Sequence, residues 1–307
     1  MSTIFRSTLP DVYIAHLAEL FWKTHDEHPT LYTKVARVMP STKGYEDWFE
    51  MAGLGQFRLK PEGTPISTDA PVQGSRRRVT HSTFALAARR TLEAMADKRY
   101  DVIDQIPKDL AASGREHQEL LFWSLLDNGF TTTVHVTIDG LALYSTAHPI
   151  LKPKDPTAAT ASNRANPGIA LGTAGLEAGI TAMKLTKSRE DRFTPIEPKW
   201  LVYNPQQDHF AYQLLNAEKE VLTNENQPNT VSRSRTGIQP LAVPWLTDQE
   251  DWHLLADKSQ HKLTYWNRMD LTYDTGTDMY TKDEVDDAMY RASVAPMDWR
   301  GVYGSSP

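Results

Sequence analysis

The chain has 307 residues, a formal charge of −6, 40% hydrophobic and 23% charged residues, and no cysteine. That length lies near the point where a single hydrophobic core stops growing, so one elaborate domain and two lobes are both admissible. The lack of cysteine excludes a disulfide framework, thiolate zinc sites and a cysteine nucleophile, and the acidic balance argues against a surface that grips nucleic acid over its whole extent.

The opening MSTIFRSTLPDVY has no basic stretch followed by an apolar one, so no secretory signal is expected. The most apolar run, LLFWSLL at 120–126, falls far short of the ~20 residues of a membrane span. The expected setting is soluble and cytoplasmic.

In chain order, residues 9–36 read as helix, with Ile14, Leu17, Leu20 and Phe21 at spacings of three and four. From about 39 to 84 the chain is rich in Gly, Pro, Ser and Thr and has no helical period. QFRL at 56–59 and RRVTHSTF at 77–84 read as extended pieces flanking a turn-rich tip at 61–74, which makes a long two-stranded ribbon. Such a ribbon is marginal in water by itself. Nothing else in the chain presents itself as its support, so a neighbouring subunit is the expected one.

Residues 92–128 read as a long helix or helix pair whose buried stripe is Ile103, Ile106, Leu110, His117, Leu121 and Leu125. Pro107 is expected to kink it or to mark a first turn. Asp127-Asn128-Gly129 is a stop, with Gly129 suited to the left-handed position after the helix. FTTTVHVTI, Asp139-Gly140 and LALYST at 130–146 then predict a hairpin closed by a two-residue loop. After a polar loop at 150–168, a helix is expected over 169–188, a short apolar strand over 198–205 and a helix over 209–218. Beyond the loop 224–237, extended pieces follow at 238–246, 251–256 and 262–268. Tryptophans 245, 252, 266 and 299 should bury large aromatic area in this last third. The mixed order of helices and hairpins predicts an α+β fold.

Candidate chemistry is thin. Ser145 and His148 lie in YSTAHP, not in the strand–turn–helix setting of a G-x-S-x-G serine. On a strand the two would point to opposite faces, so Ser145, Thr146 and His148 are expected to satisfy backbone groups where the strand meets a loop. His25 and His28 have HxxH rather than HExxH spacing, and REHQEL at 115–120 has one histidine. The acidic run 274–287 fails the calcium-loop pattern and reads as an exposed turn. Arg76-Arg77-Arg78 is the one compact basic run, expected to meet acidic side chains of another subunit, and no phosphate-loop motif occurs. No catalytic, cofactor or metal site is expected.

Several segments, in order, resemble the major capsid proteins of tailed bacteriophages, most of all the Mu-type major head subunits with the HK97-like capsid fold. The most specific is AMYRASVAPMDWRGVYGSSP at 288–307, whose Tyr-Arg, Asp-Trp-Arg-Gly and Tyr-Gly-Ser groups are similar to the family's closing pattern. LYSTAHP at 143–149 resembles a Ser-Thr-x-His-Pro at a hairpin end, and PKWLVYNPQQDHFAYQLL at 198–215 resembles the family's strand leading into a helix. NENQPN at 224–229 and LAVPWLTDQEDWHLLAD at 241–257 are similar to its next loop, strand and Trp-turn.

The resemblance implies an α+β fold with an N-terminal arm and helix at 1–50, an extended β-ribbon loop at 51–85 lying on the next subunit, a peripheral domain with a long spine helix at 86–195 and 269–307, and an axial domain at 196–268. It implies a major capsid protein that assembles into hexamers and pentamers of an icosahedral shell around double-stranded DNA, held non-specifically. Portal, scaffolding and decoration proteins would be its partners, no membrane is involved, and the shell would be built in the bacterial cytoplasm. On this reading the ribbon residues Arg58-Leu59-Lys60 and Arg76, Arg77 and Arg78 contact other subunits, while Tyr144, His148, Trp252, Asp298, Trp299 and Arg300 are structural motif residues. Two rivals are a nanocompartment shell of the encapsulin type and a serine hydrolase using Ser145 and His148.

Overall fold

A computed structural model describes residues 9–91, 103–150, 159–190, 192–219, 228–281 and 283–307. The helix expected from the start of the chain is α1 (Leu9–Glu27), followed by a single helical turn, α2 (Tyr32–Val35). The break comes at His28-Pro29, because a residue before proline is driven out of the helical region. The spine helix α3 (Gln105–Asp127) lies along α1. Its expected start at 92 lies outside the described residues. Pro107 sits in the first turn, where no helical hydrogen bond is lost.

The first sheet has four strands in the order β1 (Arg37–Pro40), β10 (Leu263–Thr277), β11 (Glu284–Pro296) and β4 (Ser82–Arg90). α1, α2 and α3 cover it, burying Phe21, Leu110, Phe122 and Trp123 against Leu263, Tyr265, Ala288 and Tyr290. The second sheet has the order β12 (Val302–Ser305), β9 (Trp252–Ala256), β7 (Pro198–Tyr203) and β8 (Gln239–Ala242). The helices α4 (Thr173–Lys184) and α5 (Asp208–Asn216) pack on it through Leu176, Met183, Ala211, Leu214 and Leu215. β7, α5 and β9 fall where their apolar runs predicted.

The ribbon is present with different strands. Its ladder pairs β2 (Tyr45–Ala52) with β3 (Val72–Thr80), from Tyr45↔Thr80 to Ala52↔Val72. QFRL lies outside the ladder, in the loop that spans 53–71. Acidic residues on both faces of YEDWFEMA hide its alternation. The ribbon's legs grow out of opposite edges of the first sheet: β1 leads into β2, and β3 passes through His81 into β4.

The hairpin expected at 130–146 does not form a ladder. The Asp139-Gly140 turn closes, with Thr137 N–H donating to the Leu141 carbonyl at 2.8 Å. The second leg is claimed by Asn163 instead: its Nδ2 donates to Leu143 O at 2.8 Å, and its Oδ1 accepts from Ser145 N at 2.9 Å. A side chain 18 residues away thus takes the bonds that the first leg would have made. The two residues of the strand β5 (His148–Pro149) pair with β6 (Thr160–Ala161).

Gly129 ends α3 as expected but for another reason. Its φ is not positive. A Cβ there would lie 2.7 Å from the Tyr144 ring, and one on Gly304 would lie 2.8 Å from the other side of that ring. The two glycines let Tyr144 slot between the end of the spine helix and β12, where it is buried.

Candidate assembly interface

The base of the ribbon, the loop after α4 and the C-terminal turn meet in one place. Residues on the inner face of β2 alternate as Glu46, Trp48 and Glu50, opposite Val79 and Arg77 on β3. Trp48 and Met39 pack on a small cluster of Val79, Trp266, Ala295 and Met297. Glu50 receives a two-pronged bond from Arg189, Nε to Oε1 at 3.0 Å and Nη2 to Oε2 at 2.7 Å. Arg300 Nη1 is 3.6 Å from Glu50 Oε1. Gly53 N–H donates to Glu190. The ribbon base is therefore held by its own chain, contrary to the expectation that nothing here receives it. Charges 139 residues apart in sequence carry no local signal that could have announced this.

His81, at the passage from ribbon to sheet, is buried and bridges two strands. Its Nδ1 lies 2.8 Å from Ser293 Oγ on β11, and its Nε2 lies 3.0 Å from Ser41 Oγ, which itself donates to Glu46 at 2.6 Å. Burial lowers the pKa of His81, favouring the neutral ring that such an alternating chain of donors and acceptors suits.

The Asp298-Trp299-Arg300-Gly301 turn forms the floor. Arg300 Nε donates to Lys187 O at 2.9 Å, Arg300 Nη1 reaches Asp298 Oδ1 at 3.1 Å, and Asp298 Oδ2 holds Lys262 Nζ at 3.2 Å. Gly301 turns the chain at φ 84°, which favours glycine. Trp299 stacks on His148, and Asn163 Nδ2 donates to the Trp299 carbonyl at 3.3 Å. His148, Asp298, Trp299 and Arg300 are thus brought together, whereas the Tyr144 ring packs elsewhere, between Gly129 and Gly304 and against Phe130 and His253. Trp252 does not join them. It is buried in the second core, where its Nε1 donates to Ile169 O at 2.8 Å.

The serine–histidine pairing does not form. His148 Nδ1 is 2.8 Å from Asp139 Oδ2, but its Nε2 faces the Leu143 carbonyl at 3.3 Å. Ser145 Oγ instead accepts from Ala147 N–H at 3.2 Å. Burial raises the Asp139 carboxyl, and the hydrogen bonds from His148 and Thr137 outweigh it and hold the group below the usual range. The imidazole is fully buried, so this pair fastens a loop.

Another carboxylate that sequence reasoning missed is Glu119. It is buried on the spine helix and accepts from Tyr32 N at 3.0 Å and from Trp123 Nε1 at 2.7 Å, tying α2 to α3.

The outer face of the ribbon is open. Asp47 pairs with Arg76 at 2.6 Å and Arg78 at 2.8 Å, and these partners lower its carboxyl to about 2. Arg78 also covers the Tyr45 ring at 3.8 Å. The arginine side chains remain 58% and 52% exposed. Arg77 points to the inner face and is half-buried, and burial lowers its pKa. Beyond the ladder, Arg58 and Lys60 are exposed, and Phe57 and Leu59 stand clear of the body at 108% and 94% exposure. No group of metal-ligating side chains occurs among the described residues, and none of their helices is long and apolar enough to cross a membrane.

No curated protein matches the chain. Among solved structures, the procapsid of bacteriophage JBD30 is similar over 99% of this chain and 76% of its own, with 16% identity and a TM-score of 0.55. The Microbacterium phage Oxtober96 structure covers 91% of each chain at 11% identity and a TM-score of 0.55. A virus-like particle from Pyrococcus furiosus covers 96% of this chain and 99% of its own at 9% identity and a TM-score of 0.52. At these identities the likeness is one of fold, and the α+β, HK97-like capsid fold expected from the sequence is the fold observed. The family model described as phage capsid protein matches residues 76–305, which takes in the spine helix, β4, β10 and β11 of the first sheet, the whole second sheet and the Asp-Trp-Arg-Gly turn. The chain belongs to the phage capsid protein family.

Proposed function

We propose that the chain is the major head subunit of a tailed phage of the Mu type, and that it builds an icosahedral shell of hexamers and pentamers around double-stranded DNA. The observation that carries this is the ribbon loop. A chain of a capsid family extends residues 53–71 beyond its own ladder, with Phe57 and Leu59 almost wholly in water. Large apolar groups held clear of the body are a cost to a monomer and an asset to an assembly. Contacts of this head-to-tail kind close into rings when the rotation permits, and many weak ones add.

In this reading the extended loop at 51–85 reaches the next subunit by its tip, residues 53–71, through Arg58 and Lys60, with the outer arginines 76 and 78 beside the contact, while β3 and the start of β4 stay with their own chain. Residues 86–195 and 269–307 are the peripheral domain and 196–268 the axial domain around the five- and six-fold centres, with α4 and β12 crossing over to pack on and complete the axial sheet. Portal, scaffolding and decoration proteins complete the particle, which is assembled in the host cytoplasm. DNA is held without sequence preference by a wall that is acidic overall. The chain is structural and does no chemistry, since the His148–Asp139 pair is sealed from solvent.

The test is a variant in which a short Gly-containing turn replaces residues 55–70. It should keep the subunit's circular dichroism and melting point and lose closed particles under the electron microscope. Normal shells from this variant would refute the role of the loop. Shells that form and carry a protein cargo in place of DNA would favour a nanocompartment instead.

A further inference from the structure

The strand β4 is an open edge. Its ladder with β11 runs without a bulge over all nine residues, from Arg90↔Glu284 to Ser82↔Ala292. Its other side pairs with no strand among the described residues. Ser82 to Ala88 carries no charge and no proline, which are the usual protections of an edge. Beside it, between β4 and the spine helix, lies a cavity of about 380 Å³ lined by Phe84, Leu86, Leu110, Gly114, His117 and Tyr290. Phe84 and Leu86 share the spine-facing side of β4, opposite Tyr290 and Ala288. Leu86 is 53% exposed at the cavity mouth.

The same chain offers a strand without a sheet. Gln56-Phe57-Arg58-Leu59-Lys60 alternates polar and apolar residues, lies in no ladder, and exposes both apolar side chains. We propose that the 56–60 segment of a second copy adds to the free edge of β4 as a fifth strand, seating Phe57 and Leu59 over the cavity beside Phe84 and Leu86. This rests on the reading that the ribbon reaches another copy, and it names where the ribbon lands.

Charge supports the same orientation. With Phe57 and Leu59 toward the spine, Arg58 and Lys60 point to the opposite side of the sheet. There the β4 residues are Ala85 and Ala87, too small to stand in the way. One strand further in, Asp287 on β11 lies directly opposite Asp274 on β10. Two like charges facing each other across strands are unfavourable, and cations reaching over the alanines relieve them. The main-chain bonds supply affinity and the alternate side chains supply register, as in other strand additions.

The cysteine-free chain makes the test direct. Phe57→Cys and Leu86→Cys, both at exposed positions, are combined in one chain, and assembled particles are treated with a short bis-maleimide crosslinker. The expected result is a ladder of covalent multimers that neither single variant gives. A control combines Phe57→Cys with Tyr280→Cys, at the exposed tip of the β10–β11 hairpin, and should give no ladder. Particles that crosslink through position 280 and not 86, or through neither, or only within one chain, overturn the assignment while leaving shell formation intact. Absence of particles from the unmodified chain would count against the shell reading instead. If the cysteine variants do not assemble, Arg58→Glu with Lys60→Glu should abolish particles, and adding Asp274→Lys with Asp287→Lys should recover them. No recovery would overturn the proposal.

Discussion

The indole of Trp299 lies flat on the imidazole of His148, with ring centroids 4.7 Å apart and planes 7° from parallel. One residue belongs to the C-terminal turn and the other to β5. The stack joins two distant segments beneath the ribbon base. Asp139 holds the imidazole from its edge, and Asn163 donates to the backbone carbonyl of Trp299, fixing the turn that carries the indole.

Truncating that stack should cost stability. Trp299 is 4% exposed, and Trp299→Ala is expected to destabilise the subunit by about 3–5 kcal/mol, the range for a buried large aromatic. Denaturant unfolding of the subunit measures it, and an unchanged midpoint would contradict the packing described.

Glu50 should act as the pin of the ribbon. Its replacement by alanine leaves Arg189 and Arg300, with side chains 10% and 12% exposed, short of their shared counter-charge. The expected cost is about 2 kcal/mol, between the surface and fully buried cases. Hydrogen exchange should show protection lost in Tyr45–Ala52 and Val72–Thr80 while β9 and β10 keep theirs. Equal protection throughout would mean that the ribbon base is held by other contacts.

The glycine on the far side of Tyr144 should not accept a side chain. The three atoms nearest a Cβ at Gly304 would all belong to the Tyr144 ring, the first at 2.8 Å. Gly304→Ala is expected to cost about 1–3 kcal/mol as an overpacked site. In a Tyr144→Ala background the same change should cost far less, and thermal melts of the four proteins in this cycle decide it.

Acid should loosen the second sheet through His253. Burial lowers its pKa to about 3, and its ring is stacked on Tyr144 at 5.2 Å. The unfolded chain, titrating near 6.5, binds the proton first, so this group's contribution to stability is complete above about pH 6.5 and falls as pH drops toward 3. The loss is on the order of 1 kcal/mol per pH unit within that window. His135 and His261, both lowered to about 4 by burial, act in the same sense. Asp251, raised to about 6 by burial, acts in the opposite sense, because the folded state binds its proton first. His253→Phe preserves the stack and should flatten the dependence between pH 6.5 and 4. An identical slope in wild type and variant would contradict the assignment.

What the sequence made legible was what is local. β7 and β9 are short continuous apolar runs and α5 has a helical apolar period, so their place and type could be read directly. β11 was hidden because one member of its buried face is a charge: Asp286 is fully buried and paired with Arg90, 196 residues away, at 2.5 Å. β2 was hidden in the same way by Glu46 and Glu50. The Asp139-Gly140 turn was correctly read, but its second leg pairs with Asn163, whose competing bonds leave no periodic trace. At the candidate interface, the DWRG turn was visible as a motif, whereas Glu50, Arg189 and His81 gain meaning only once the ribbon folds back on them.

The central claim is that this subunit reaches its lowest free energy by extending its ribbon loop onto copies of itself. Cryo-electron microscopy of the chain, expressed together with the genes that flank it in its own genome, tests that most directly. Closed shells with density for residues 53–71 on a neighbouring subunit are the expected result. A monodisperse monomer with that loop folded against its own body would contradict it.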